Sequence, residues 1–398
     1  MVELSKNCCG CTCCAEVCPQ GAIRMAQDEG EFLYPKIDTV KCIDCGLCEQ
    51  KCPLRKPQNT GNAKPPTYAA FSREAGVRVK SSSGGLFYMF ASSVIRKGGV
   101  VFGAALSDDR KTVFHTYAES CVDLAKLQGS KYVQSDLSDI FKKVHFYLNR
   151  GRWVLFTGTI CQIEGLRSYL GKEYDKLILI DVICHGVPSP LIWSHYVHCK
   201  EAAYSCKVQE AYFRDKTDGW KSFGMKLLFT NGQCYRSVWQ KDAYGKLFTA
   251  NKIFRDSCED CRFKTVEKNC DLSIGDLWGA EYMANELDDD MGVSLLMVHS
   301  KKGMDLLESI RDSLEIREID FDAAVNNNPY ILKSIKKGSG KAKQRIYKEI
   351  RAGKDIETIA SKYARNFNMK KYMIALFDRI GLLGIILNRR NNRSRKNG

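Results

Sequence analysis

Two cysteine runs constrain this chain more than any other feature of its 398 residues. Cys8, Cys11, Cys14 and Cys18, closed by Pro19, read C-x2-C-x2-C-x3-C-P, and Cys42, Cys45, Cys48 and Cys52, closed by Pro53, repeat that spacing. This is the run that binds 4Fe-4S clusters. A disulfide framework or paired zinc sites fit less well, because a zinc site takes four ligands, usually from two C-x2-C pairs, not triplets closed by Cys-Pro. Cys9 and Cys13 fall outside the register and are expected to be spare.

Where two such runs share one domain, the fourth cysteine of each ligates the other cluster. Cys8, Cys11, Cys14 and Cys52 are therefore assigned to one 4Fe-4S cluster, and Cys42, Cys45, Cys48 and Cys18 to a second. The cross-ligation makes residues 1–56 one two-cluster ferredoxin unit, and the polar, proline-bearing stretch 57–66 reads as a linker.

Composition bounds the rest. A chain that is 44% hydrophobic and 10% aromatic can bury a substantial core. The opening MVELSKN lacks the apolar run of a secretory signal, and apolar stretches of about eighteen uncharged residues are missing, so a cytoplasmic location is expected. The nineteen cysteines then read as thiols or metal ligands. Residues 331–398 hold 19 Lys and Arg against 4 Asp and Glu, which accounts for the whole formal charge of +15. The body is balanced and gives no electrostatic argument for a nucleic-acid partner.

From Tyr68 the pattern changes. Apolar runs such as GGVVFGAAL, RWVLFTG and KLILIDVIC alternate with amphipathic segments at 85–97, 138–149 and 188–204, which argues for an α/β domain over 67–330. A more β-rich portion occupies 208–240, VSLLMVHS with the helical stretch after it resembles another α/β element, and 331–398 reads as a basic helical tail. The fold class is thus a small α+β ferredoxin domain, a larger α/β domain of flavin-binding type, and that tail.

Several segments of the second domain can carry chemistry. Ser81–Ser83 and Gly84-Gly85 stand directly before a helical stretch, where small residues let backbone N–H groups approach a phosphate; the same residues are ordinary N-caps. Cys161 and Cys184 follow predicted strands, where α/β proteins build ligand sites. Cys258 and Cys261 form a C-x2-C pair that favours metal, zinc included, with Cys270 nine residues on. Four cysteines drawn from such loops could hold a third cluster, or be buried thiols. His185 has a suggestive context, although a lone histidine is more often a satisfied polar group. Asp276 and Trp278, between Gly275 and Gly279, suit either a tight loop beneath a planar ligand or a structural turn.

Taken in order, SSSGGLF, GGVVFGA, GSKYVQS, LFTGTICQIEGL, DVICHGVPSP, FRDKTDGW, SCEDCRF and SIGDLWG resemble the coenzyme F420 hydrogenase/dehydrogenase beta-subunit family, in the branch with a fused two-cluster ferredoxin domain found among polysaccharide-locus proteins. The resemblance implies an α/β fold, FAD, a third 4Fe-4S cluster and electron flow between a ferredoxin or other redox protein and an organic acceptor. It implies that Ser82, Ser83, Gly84 and Gly85 contact the flavin phosphates with Lys131 nearby, and that Cys161, Cys184, Cys258 and Cys261 ligate the third cluster. Ile160 stands where the family usually has proline, and Cys270 where no cysteine is expected. The deazaflavin coenzyme F420 is a further cofactor candidate. The catalytic residues, the substrate and the direction of flow are left open.

Two further readings compete with a flavin-dependent reductase acting on a small organic or lipid-linked substrate, such as a sugar of exopolysaccharide synthesis. One is an electron-transfer subunit serving a separate catalytic partner; the other, supported by the tail alone, is a nucleic-acid or membrane-binding protein with structural clusters. The apolar-then-basic stretch from Met369 is interrupted by Asp378 and Arg379, which argues against a transmembrane span and admits either peripheral membrane contact or a helix packed on the body.

Overall fold

A computed structural model describes residues 7–57, 60–336, 338 and 340–364. The two cysteine runs fold as a repeat. Gly10 and Thr12 in the first take left-handed φ values of 72° and 62°, and Asp44 and Gly46, at the same places in the second, take 49° and 69°. These reversals bend each triplet around a common point, and one-turn helices Cys13–Glu16 and Leu47–Gln50 follow at matching positions. Strands β1 (Ile23–Gln27) and β2 (Leu33–Ile37) pair antiparallel between the runs, with Ile23 opposite Ile37.

The larger unit contains β3 (Thr67–Ser72), β4 (Val100–Leu106), β5 (Val113–Ala118), β6 (Ser135–Asp136), β7 (Val154–Gly158), β8 (Leu177–Val182), β9 (Val208–Asp215), β10 (Gly224–Phe229), β11 (Cys234–Val238), β12 (Leu272–Asp276), β13 (Ser294–Val298) and β14 (Leu314–Glu318). Nine of them form one mixed sheet in the order β14-β3-β13-β12-β8-β7-β4-β5-β6. Its centre, β12-β8-β7-β4, is parallel. Of these, β4, β7 and β8 read as largely apolar runs because both faces are covered, whereas β12 is LSIGD and carries no such run. Val101 and Leu155 face the layer that contains Phe90 of helix Leu86–Arg96. Their neighbours Phe102 and Phe156 face Phe141, Ile163 and Leu166 of helices Ile140–Asn149 and Ile160–Leu170. The segment VSLLMVHS, read as one more α/β element, supplies β13 followed by helix Lys301–Glu308, but β13 runs antiparallel to both neighbours.

The β-rich stretch at 208–240 is a separate antiparallel sheet, β11-β10-β9. Its core includes Trp193, Phe213 and Tyr244, together with Ile346, Tyr347, Ile356 and Ile359. Helices Gly340–Arg351 and Ile356–Tyr363 of the basic stretch therefore pack into the body. The segment from Met369, whose sequence admits peripheral membrane contact, lies outside the described residues. Among the described residues, no helix is long and apolar enough to cross a membrane.

The cysteine-rich unit is seated directly on the body. Ser168 Oγ donates to Lys51 O and Ser189 Oγ to Gly30 O, both at 2.6 Å. Gly165 is needed at this seam, since a Cβ there would stand 2.7 Å from the Cβ of Cys11.

Candidate cluster sites and ligand cavity

The four cysteines assigned to the second cluster, Cys18, Cys42, Cys45 and Cys48, line one cavity of about 310 Å³, although three come from one run and one from the other. Cys45 is exposed, and beside it Val40 and Ile43 are 94% and 61% exposed. In the first set, burial pushes the Cys14 thiol up to about 12, and its neighbours Cys8 and Cys52, together with Cys48 of the second set, add to the shift, so the two runs are close to one another here. Cys13 is fully buried and its Sγ donates to Lys51 O at 3.3 Å, the environment of a structural thiol. Cys9 differs: its thiol neighbours those of both Cys11, which with burial pushes it up, and Cys161, and so lies where the first set meets the body.

Cys161 opens helix Ile160–Leu170, whose start is fixed by a capping box between Thr159 and Gln162. Cys184 sits in the loop after β8, and Cys258 and Cys261 in the short 3-10 segment Asp256–Asp260 and at its end. These four converge. Cys184 has Cys258, Cys161 and Cys261 as electrostatic neighbours, and Cys258 and Cys261 have Cys161. Burial pushes Cys258 to about 12 and Cys261 to about 11, so without a metal the thiols stay protonated; bound iron would supply the positive charge that thiolates need. Lys264 Nζ donates to Cys184 O at 2.7 Å and steadies that loop. Among the described residues, no three His, Cys, Asp or Glu side chains stand close enough to share a single ion. The four thiols are grouped as electrostatic neighbours.

Cys270 is not drawn into this group. It is buried beside the ion pair of Asp181 and Lys268 and contacts Ser273 Oγ at 3.7 Å.

A second cavity, of about 280 Å³, lies at the C-terminal ends of the parallel strands. Ala104 of β4, Thr157 and Gly158 of β7, Val182 of β8 and Asp276 of β12 line it, as expected where crossovers leave a crevice. Ser82, Ser83, Gly85 and Lys131 form one side, and Cys184 another. Gly85 has φ 93° and precedes helix Leu86–Arg96, whose N-terminus lacks a side-chain cap among the described residues. Ordinary side-chain capping therefore does not explain the serines. Ser82 Oγ accepts the Ser130 N–H at 2.8 Å, which leaves its own proton free to donate. Ser83 Oγ donates to Val293 O, and Gly84 N–H donates to Ser294 Oγ, each at 2.9 Å, so these two shape the turn. Burial lowers the Lys131 ammonium to about 7, while its Nζ donates to Lys126 O and Gln128 O at 3.1 and 2.7 Å.

His185 is a satisfied polar group. Its Nε2 meets Asn251 Oδ1 at 2.9 Å, and its ring lies among Tyr330, Phe248 and Phe254. Asp276 is tied up as well, in a bidentate pair with Arg214 at 2.5 and 3.1 Å, while Trp278 stacks on Trp220 at 5.1 Å. The sequence suggests a tight loop or turn for SIGDLWG, but residues 273–276 belong to strand β12, and Asp276 and Trp278 at and just beyond its end are held by Arg214 and Trp220 of the segment FRDKTDGW.

The sequence reading missed His115, Arg214, Arg255 and the role of Cys9. His115 lines the second cavity, with Nδ1 2.6 Å from Ser135 Oγ and Nε2 3.1 Å from Thr157 O. Burial holds its pKa down at about 4, so it is neutral. No motif could have found it, because it is one residue of an ordinary strand whose partners lie 20 and 42 residues away.

Comparison with known proteins agrees with the cysteine spacing. Residues 7–55 match the model of the 4Fe-4S dicluster domain, and residues 151–323 match that of the C terminus of the coenzyme F420 hydrogenase/dehydrogenase beta subunit. The motifs SSSGGLF, GGVVFGA and GSKYVQS precede the second match. No curated protein matches the chain. Among solved structures, a chain of the F420-reducing NiFe hydrogenase complex from Methanosarcina barkeri is 15% identical, with 69% of this chain and 93% of that chain covered and a TM-score of 0.48.

Proposed function

We propose that this chain, a 4Fe-4S dicluster domain followed by a region of the coenzyme F420 hydrogenase/dehydrogenase beta-subunit family, is an iron–sulfur flavoprotein oxidoreductase relaying electrons from a ferredoxin-type donor to an organic acceptor. One observation carries the reading. Cys184 both lines the cavity at the strand ends and stands among Cys161, Cys258 and Cys261, so a cluster on those thiols would adjoin whatever fills the cavity.

The residues suit the groups proposed for them. The cavity is near the lower size limit of ligand pockets, about 300 Å³, and pairs an uncapped helix N-terminus with a lysine, the chemistry a pyrophosphate requires. Ser82 and the first N–H groups of helix Leu86–Arg96 would hold the FAD phosphates, with Lys131 beside them. Gly84 must be glycine, since a Cβ there would stand 2.5 Å from Ala70 O. Clusters would supply one-electron carriers and FAD the exchange between one- and two-electron chemistry. A phosphate beside Lys131 would raise its pKa from about 7, so binding at pH 8 should take up a proton.

The acceptor is an organic molecule, and a nucleotide- or lipid-linked sugar and the deazaflavin F420 are the first to try. The exposed edge around Cys45, Val40 and Ile43 favours a companion reading in which a separate redox protein docks over the second cluster. In that form the chain serves as an electron-transfer subunit.

Anaerobic purification and cofactor reconstitution with iron, sulfide and flavin quantitation tests both. About twelve irons per chain and a stoichiometric flavin support the oxidoreductase reading; about eight irons would remove the third cluster. Iron without flavin would leave the electron-transfer subunit.

A further inference from the structure

Arg255 is fully buried, 0% exposed, at the seam between the cysteine-rich unit and the body. Its Nε donates to Cys8 O at 2.7 Å, one Nη to Leu33 O at 2.9 Å and the other to Gln134 Oε1 at 3.1 Å. The guanidinium lies 3.9 Å from the centre of the Tyr34 ring. All three acceptors are neutral. Among the described residues no carboxylate pairs with it: the ion pairs that other buried guanidinium groups make, Arg214 with Asp276 and Arg78 with Asp289, have no counterpart here.

A guanidinium does not lose its proton in a protein, and an uncompensated buried charge is costly. Something anionic must therefore balance it. Asp28 and Asp256 act with it on Tyr34 without pairing to it, and the other ionisable groups around it are thiols of the two sites that meet at this seam. Arg255 bonds the backbone of Cys8, its own carbonyl accepts the Cys258 N–H at 3.1 Å, and it is an electrostatic neighbour of Cys161 and Cys258. Cys9, next to Cys8 in the chain, reaches Cys161 directly. Four thiolates around a four-iron cluster leave a net negative charge, and each one-electron reduction adds to it without forming or breaking a bond.

Resting on the three-cluster reading above, we infer that Arg255 is the shared counter-charge of the cluster on Cys8, Cys11, Cys14 and Cys52 and the cluster on Cys161, Cys184, Cys258 and Cys261. As a positioning residue it raises the reduction potential of both and leaves the cluster on Cys18, Cys42, Cys45 and Cys48 at its own value. Charge and hydrogen bonding near the sulfurs are the levers by which proteins set such potentials. One arginine thus keeps two adjoining carriers matched, while the outer cluster is free to match the donor.

The test is a dithionite redox titration followed by EPR on the reconstituted full chain, for wild type, Arg255→Gln, Arg255→Lys and Gln134→Glu. Arg255→Gln should make reduction of two clusters about tenfold less favourable, 59 mV for a one-electron couple, with the third signal unmoved. Arg255→Lys keeps the charge and should restore most of the shift. Gln134→Glu keeps the acceptor oxygen used by Arg255 and by Leu33 N–H but sets a carboxylate against the guanidinium, so it should lower the same two potentials even if Arg255→Gln fails to load iron. Unmoved potentials in Gln134→Glu and Arg255→Gln, or an equal shift of all three, would overturn the inference. Eight irons in the wild type would instead sink the three-cluster reading beneath it.

Discussion

Asp276→Asn changes one charge and almost no volume, at a residue that lines the proposed flavin cavity. The native carboxylate accepts two hydrogen bonds from Arg214 and one from Trp220 Nε1, the last at 3.1 Å. The side chains are 3% exposed for Arg214 and 15% for Asp276. Burial works against the Arg214 charge, and Asp276 more than offsets it, holding the pKa above the ordinary arginine value. Removing one partner of a buried pair costs about 3–5 kcal/mol because the other charge is stranded. Two features reduce that here: Asp276 keeps some contact with water, and the guanidinium retains its place 3.8 Å over the Phe223 ring, a contact worth about 1–2 kcal/mol. The asparagine oxygen can also keep the Trp220 bond, so the expected loss is about 2–3 kcal/mol.

At about 2–4 °C per kcal/mol for domains of this order of size, the melting midpoint should fall by about 4–12 °C. Cluster loss makes unfolding irreversible, so wild type and variant must be compared at one scan rate under anaerobic conditions. The Trp220–Trp278 stack, 5.1 Å between ring centres, gives a local fluorescence reporter. The double variant Arg214→Met/Asp276→Asn contains no stranded charge and should recover much of the loss. A stability for Asp276→Asn within about 0.5 kcal/mol of wild type would refute the reasoning, as would a double variant worse than the sum of its parts.

Three other outcomes follow from the same geometry. Because burial holds the His115 pKa at about 4 against 6.5, the unfolded chain takes up a proton in that window that the folded chain refuses. Its contribution is fully present above pH 6.5 and is lost as pH falls towards 4; about 2 kcal/mol should disappear between pH 6.5 and 5, a slope that denaturation curves of His115→Gln should lack. Cys13→Ser keeps a donor for Lys51 O and should leave iron content intact, whereas Cys14→Ser should lower it by about one four-iron cluster; equal iron in both would contradict the register. Gly84→Ala forces a Cβ to within 2.5 Å of Ala70 O and 2.9 Å of Phe71 Cβ, both on strand β3. It should cost about 1–3 kcal/mol and weaken flavin retention in equilibrium dialysis, and unaltered retention would place the phosphates elsewhere.

The cysteine spacing was legible because cluster ligation is local: three ligands per run lie within seven residues, and the repeat carries its own backbone signature at Gly10, Thr12, Asp44 and Gly46. The parallel strands β4, β7 and β8 were legible for a related reason, since burial on both faces writes a largely apolar run, whereas β12, LSIGD, lacks that run and reads as a loop or turn. The quartet of Cys161, Cys184, Cys258 and Cys261 was reached through family resemblance, because spacing alone cannot join residues a hundred positions apart. The serine turn was ambiguous between a helix cap and an anion site, and the structure removes only the side-chain cap.

What stayed hidden has one physical cause. Arg255, Arg214, His115 and Cys9 draw their meaning from charges or hydrogen-bond partners far away in the chain, and a sequence window registers only composition. The missing carboxylate beside Arg255 is the sharpest instance. In the sequence Arg255 precedes Asp256 and looks locally paired, yet Asp256 is drawn to Lys343 of a distant helix, leaving the guanidinium to Cys8 O, Leu33 O and Gln134 Oε1. Placement of one aspartate's partner thus separates a surface arginine from a buried charge at the seam between the cysteine-rich unit and the body.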